Sequence, residues 1–206
     1  MSKSPGSKHW LQRQEKDPYV RKARQSHYRS RAAYKLAEID KKDHLFRPRQ
    51  TVIDLGAAPG SWSQYAADRI GDQGRVIAID ILPLEPIDNV LFIQGDFTEQ
   101  VVYEGCLARL GGRRCDLVIS DLAPNLSGIR ATDQAASLYL AELARDLALE
   151  VLKPGGHLLV KVFQGEGIDV FRQSLREHFA KIVTRKPGAS RDNSREFYVL
   201  ARSYRL

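Results

Sequence analysis

Four carboxylates stand at or just beyond the ends of short apolar runs. Asp54 follows Thr51-Val-Ile53, Asp80 ends Arg75-Val-Ile-Ala-Ile-Asp, Asp96 follows Val90-Leu-Phe-Ile-Gln-Gly, and Asp121 follows Cys115-Asp-Leu-Val-Ile-Ser. Acids at the carboxyl ends of buried strands are placed to hold a nucleoside, because ligands of open α/β sheets sit beyond those ends. After Asp54 the chain reads Gly56-Ala-Ala-Pro59-Gly60-Ser-Trp62. Small residues let a ligand approach the backbone, and a helix N-terminus behind them offers free N–H groups to an anion such as an amino-acid carboxylate. Asp54 is placed to order that loop or to accept from a ligand ammonium. Asp80 is suited to the ribose hydroxyls of an adenosine, Asp96 to the exocyclic amine of its base, and Phe97 to packing on the base. A single strand-end acid often does no more than cap the next helix. Four in order, one after each strand, point to a ligand. A dinucleotide site is disfavoured, because the turn reads G-A-A-P-G instead of G-x-G-x-x-G, and its proline removes an N–H that a pyrophosphate would use.

The elements that carry these ends follow from the apolar rhythm. TVIDLG, RVIAID, VLFIQGD, CDLVISD, HLLVKVF, AKIVTRK and REFYVLAR read as strands. GSWSQYAADRIG, FTEQVVYEGCLARLGG, GIDVFRQSLREHF and a long run from Thr132 or Asp133 to Pro154-Gly155-Gly156 read as helices. Strands alternating with helices imply a mostly parallel sheet covered on both faces. Ahead of it, VRKARQ and SRAAYKLAEIDKKDHL read as helices, the second with Ser30 as its N-cap. The organisation expected is a basic tail over 1–17 and one α/β domain over 18–206, whose first part, 18–48, is a helical extension.

The net charge of +7 is unevenly placed: residues 1–50 carry +9, residues 51–180 carry −7 and residues 181–206 carry +5. An acidic body with basic ends suits a polyanionic partner. No apolar run is long enough to cross a bilayer, no secretory signal is read at the N-terminus, and two cysteines without ligand spacing give neither a disulfide framework nor a metal site. The composition therefore reads as cytoplasmic, with no metal and no membrane; no heptad seam is present, and a monomer is expected.

DLGAAPGSWSQ, SDLAPNLSG, VKVFQGEG and SREFYVLA, together with SRAAYKL, resemble the FtsJ/RrmJ family of RNA ribose 2′-O-methyltransferases, from about Trp10 to the C-terminus. The resemblance implies a Rossmann-like, S-adenosylmethionine-dependent methyltransferase fold with a mostly parallel seven-stranded sheet. It implies a catalytic tetrad of Lys35, Asp121, Lys161 and Glu196. It implies cofactor contacts from Gly60, Trp62, Asp80, Asp96 and Asp121, supported by Asp54 and Gly56. Ser61 departs from the bacterial pattern, which commonly has glycine there. The acceptor implied is a uridine 2′-hydroxyl in the A-loop of 23S rRNA, within the large ribosomal subunit. Methylation of tRNA or an mRNA cap, and a ribosome assembly role with secondary chemistry, are the alternatives.

A 2′-hydroxyl is a weak acid, so its transfer chemistry needs alignment and help with its proton. Lys161 is the residue to supply it, held by Asp121, and its ammonium form would orient and polarise the hydroxyl. Arg21, Lys22, Arg24, Arg29, Arg31, Lys186, Arg191 and Arg195 are candidates for RNA phosphate contacts, and Tyr19, Tyr28 and Tyr198 for stacking on a base.

Overall fold

A computed structural model describes residues 18–191 and 194–206; the proposed tail over 1–17 lies outside them. The element order is α1 (Pro18–Gln25), α2 (Ala32–Asp43), β1 (Thr51–Leu55), α3 (Ser61–Ile70), β2 (Arg75–Asp80), β3 (Val90–Gln94) and α4 (Gln100–Leu110). There follow β4 (Cys115–Ser120), α5 (Arg130–Val151), β5 (Leu152–Phe163), α6 (Ile168–His178), β6 (Phe179–Arg185) and β7 (Glu196–Tyr204). All seven strands join one sheet in the order β3-β2-β1-β4-β5-β7-β6. Strands β1 to β5 run parallel, and β7 runs against both its neighbours.

The parallel strands read as continuous apolar runs because both faces are covered. One face carries Ile53, Leu55, Ile77, Val118 and Val160 against Ala141, Ala144 and Ala148 of α5 and Phe171 of α6. The other carries Val52, Val76, Leu117, Ile119 and Leu159 against Trp62, Tyr65 and Ala66 of α3, with Leu36 and Ile39 of α2 in the same cluster. Each fully buried leucine or isoleucine contributes roughly 2 kcal/mol. The helical extension is thus part of the core that backs the strand ends.

The helix boundaries differ from the expectation in three places. α5 stops at Val151, not at Pro154, because a residue ahead of proline is driven out of helical geometry. The chain turns extended at Leu152, with φ −71° and ψ 140°. Lys153-Pro-Gly-Gly156 is then looped out of the ladder opposite Asp116, between the pairs Cys115–Leu152 and Leu117–His157. α5 also begins earlier, at Arg130, and Asp133 reaches back to accept from Ser127 N (2.7 Å), Ser127 Oγ (2.8 Å) and Gly128 N (3.2 Å). The N-cap position of α2 falls on Arg31, whose side chain caps nothing, while the capping hydroxyl is that of Ser30. Ser30 Oγ accepts from Ala32 N (3.2 Å) and bonds Ser61 Oγ (2.7 Å), tying the start of α2 to the start of α3.

Candidate active site

The strand order reverses between β1 and β4, where Leu55 pairs with Ser120. The crevice at such a reversal is where a doubly wound sheet holds its ligand, and Asp54 and Asp121 flank it. Asp54 is fully buried; its Oδ2 accepts from Ser63 Oγ at 2.6 Å and its Oδ1 has no donor. Burial pushes this carboxyl up to about 7, against the Ser63 hydrogen bond and with help from the negative charges of Asp121 and Asp80. A buried carboxylate oxygen without a partner is costly, and a ligand ammonium would satisfy it.

Two glycines shape the cradle beside it. Gly56 has φ +76°, and a Cβ there would lie 2.8 Å from Leu122 Cδ2. Gly60 has φ +105°, and a Cβ there would meet Ile87 Cδ1 at 2.8 Å and Arg29 Nη1 at 2.9 Å. Both positions need the left-handed region that glycine enters freely. The orphaned Asp54 oxygen, the glycine cradle and the α3 N-terminus together fit an amino-acid head group carrying both charges.

Asp80 does structural work of its own. Its Oδ2 accepts from Ala58 N and its Oδ1 from Leu82 N, both at 2.8 Å, so it fixes the β1–α3 turn to the β2 end. A carboxylate has lone pairs left for ribose hydroxyls. Asp96 is exposed and accepts from Thr98 N at 2.9 Å. Two sequence readings change. Trp62 is buried, its indole N–H donates to Ala32 O at 2.8 Å, and its ring lies 5.6 Å from that of Tyr198. Its side chain is therefore committed to the core behind the β1–α3 turn. Phe97 packs against the α5-side core and lines a groove with Tyr103, Leu143 and Leu147, which accounts for its ring without a base.

The tetrad assembles from four elements. Lys161 is buried, and its Nζ donates to Asp121 O at 2.6 Å and stands 3.1 Å from Asp121 Oδ1. Lys35, from α2, forms an ion pair with Glu196, the first residue of β7, and both side chains are 13% exposed. Tyr198 joins the pairs. It sits opposite Lys161 in the β5–β7 ladder, is fully buried, donates to Asp121 Oδ1 at 2.7 Å, and carries Lys35 Nζ 6.0 Å from its ring centre. Burial acts to raise the Asp121 carboxyl, but Lys161, Lys35 and the Tyr198 hydrogen bond together hold it below its usual range. Burial, with the charges of Asp121 and Glu196, drives the Tyr198 phenol well above its ordinary value, so it remains a donor. Sequence reading offered Tyr198 only as a stacking ring. Its position two residues past Glu196, on the same strand face, was the signal that it belongs to this cluster.

The basic candidates divide. Arg29 is spent internally: Nη1 donates to Pro59 O (3.0 Å) and Glu85 O (2.8 Å), and Nη2 to Pro86 O (2.9 Å). It pins the extension onto the cofactor turn, which corrects its assignment to RNA. Arg31 donates to Ala189 O and lies 5.6 Å from the Tyr19 ring, again an internal tie. Lys186 donates to Ser194 O at 2.8 Å yet stays exposed. Arg21, Lys22, Arg191 and Arg195 are exposed, and Lys22 lies over the Tyr34 ring at 4.8 Å. The Arg24 side chain lies outside those described. Tyr19 donates to Glu38 at 3.1 Å, and Tyr28 packs beside Tyr34 and Tyr65, so neither ring is presented for stacking. Among the described residues no cluster of metal-ligating side chains occurs, and no helix is long and apolar enough to cross a membrane.

The FtsJ-like methyltransferase family model matches residues 28–204. The chain belongs to the FtsJ-like methyltransferase family. It is 55% identical to ribosomal RNA large subunit methyltransferase E of Marinobacter nauticus over the full length of both chains. It is 57% identical to the protein of that name from Chromohalobacter salexigens, over 98% of this chain and 96% of that one. A Plasmodium falciparum structure described as a ribosomal RNA methyltransferase superposes with TM-score 0.77 at 29% identity, over 86% of this chain and 98% of the other. Human methyltransferase-like protein 13, solved with S-adenosylhomocysteine, shares the fold with TM-score 0.58 at 15% identity, over 84% and 82% of the two chains. This methyltransferase uses S-adenosylmethionine as its methyl donor. Asp54, Gly56 and Gly60 could cradle its amino-acid end, and Asp80 and Asp96 could face its nucleoside.

Proposed function

We propose that this methyltransferase modifies the ribose 2′-hydroxyl of a uridine in the A-loop of 23S rRNA, acting on the large ribosomal subunit in the cytoplasm as a monomer. The relatives named ribosomal RNA large subunit methyltransferase E support the substrate class. The observation that carries the reading is the coupled pair of ion pairs, Lys161–Asp121 and Lys35–Glu196, bridged by Tyr198 beside the cofactor crevice.

The bound cofactor supplies a methyl group on a sulfonium, whose departure needs no acid. What remains for the protein is to align a weakly acidic hydroxyl and stabilise the charge that develops on its oxygen. Two of the three donors of the Lys161 ammonium are spent on Asp121, leaving one for the acceptor oxygen. That geometry favours orientation and polarisation of the hydroxyl. Asp121, kept ionised by its neighbours, fixes Lys161. Lys35 and Glu196, paired with each other and 13% exposed, are assigned to hold the ribose and its phosphate, and the exposed Arg21, Lys22, Arg191 and Arg195 to contact flanking phosphates.

The test is methyl transfer from labelled cofactor to unmodified large subunits, with ribose methyls mapped. Lys161→Ala is expected to lower kcat by roughly 100-fold or more, the scale of a lost transition-state donor, while cofactor affinity stays within a few-fold. Methylation mapped to tRNA or a cap, or complementation of a deletion strain by Lys161→Ala, would replace this reading with one of its alternatives.

A further inference from the structure

A second polar cavity opens on the opposite edge of the sheet, at the amino ends of β1 and β4 and at the bulge of β5. Its volume is about 330 Å³, and it is lined by Arg47, Arg49, Lys153, His157, Gln50 and Asp116, among others. Strand β1 alone separates this edge from the methyl-transfer crevice by roughly 13 Å, at about 3.3 Å per residue.

The charges here are not balanced. Asp116 is the one carboxylate of the lining, and it is engaged: Oδ2 accepts from Thr51 N at 2.8 Å, and Oδ1 pairs with Lys153. Among the described residues, the Arg47 and Arg49 guanidinium groups have no hydrogen-bond or ion-pair partner, and both are exposed. The backbone that presents them is fixed. Gln50 accepts from Arg47 N at 2.7 Å and donates to Leu45 O at 3.3 Å, and Arg49 N donates to Ile70 O at 2.9 Å. Arg49 is held at φ +69°, an unfavourable conformation for a side chain of this kind.

At the inner end, His157 is 7% exposed, and its Nδ1 accepts from Ser203 N at 3.0 Å. A ring nitrogen that accepts leaves the proton on Nε2, and the ring also hydrogen-bonds the Gly156 backbone. The cavity thus offers two unneutralised guanidinium forks and no uncommitted acid, a donor set that matches a phosphate. We propose that it is a phosphate-binding site, remote from the methyl-transfer centre, taking a backbone phosphate of RNA or a free phosphate-bearing molecule. The RNA source rests on the reading that the substrate is a large subunit, whose folded RNA can reach both edges of the sheet.

The experiment compares the full-length wild type with Arg47→Gln/Arg49→Gln, and with Arg113→Gln/Arg176→Gln, which removes equal charge at other exposed positions. One arm measures methylation of large subunits at several salt concentrations. The other measures the thermal midpoint in inorganic phosphate against chloride at equal ionic strength. An RNA phosphate predicts a KM for subunits raised roughly tenfold in the Arg47/Arg49 variant alone, kcat unchanged, and a salt slope shallower by about 1. A free phosphate predicts no KM change but loss of a phosphate-dependent stabilisation seen in the wild type and the control. If the Arg47/Arg49 variant matches the control in both arms, the proposal is overturned. Absence of subunit methylation by the wild type would remove the rRNA reading instead, and the phosphate arm would still decide the cavity.

Discussion

Replacing Asp54 by asparagine is expected to change the pH dependence of stability in the cofactor-free enzyme. The wild-type carboxyl is fully buried with one oxygen unpartnered, and burial is the main reason it rises from an ordinary 3.8 to about 7. At 1.36 kcal/mol per pH unit this corresponds to a cost on the order of 4 kcal/mol once the group is ionised. The folded protein holds a proton that the unfolded chain releases, so between about pH 4 and pH 7 unfolding becomes easier as pH rises. The stabilising effect of protonation is complete below the unfolded value and lost as pH passes the folded one. Asparagine keeps the shape and a group to meet Ser63, but does not titrate. Urea unfolding of both proteins, followed by far-ultraviolet circular dichroism from pH 4.5 to 8.5, gives the stability difference directly. The variant should gain on the wild type by about 3–4 kcal/mol over that range, in the same window. Parallel curves would refute the reasoning, because they would mean that the Asp54 carboxyl is not perturbed. The same variant should bind S-adenosylhomocysteine more weakly, since its ammonium loses a charged acceptor.

Two further substitutions separate roles within the site. Tyr198→Phe keeps the ring beside Trp62 but removes the donation to Asp121 Oδ1. A hydrogen bond to a charged group is worth roughly 1.5–3 kcal/mol, so kcat should fall about 10- to 100-fold with cofactor KM little changed. An unchanged kcat would mean that Lys161 alone positions Asp121. Arg29→Lys replaces a fork that reaches three backbone carbonyls with a single ammonium. Calorimetric titration should show cofactor affinity reduced by about tenfold while the salt slope of subunit binding stays as in the wild type. A slope shallower by about 1 would instead place Arg29 on a phosphate.

The sequence by itself determined the strand ends and which residue types stand at them. Asp54, Asp80, Asp96 and Asp121 follow apolar runs whose period leaves little choice of structure, and the G-A-A-P-G turn reads as a cradle because only small residues admit a ligand to the backbone. The tetrad was legible through family likeness, since nothing local distinguishes Lys35 from any lysine on a helix surface. The tertiary structure decided which polar groups are already committed. Arg29 and Arg31 looked like RNA contacts because sequence reports charge and not distance; carbonyls up to 158 positions away claim them. Trp62 looked like a ligand contact until its indole N–H met Ala32 O in the core behind the turn. Tyr198 entered the site through the β5–β7 register, which places it opposite Lys161. Hydrogen bonding and burial depend on partners that only folding brings together, so the sequence shows which groups can act and the fold determines which are left to do so.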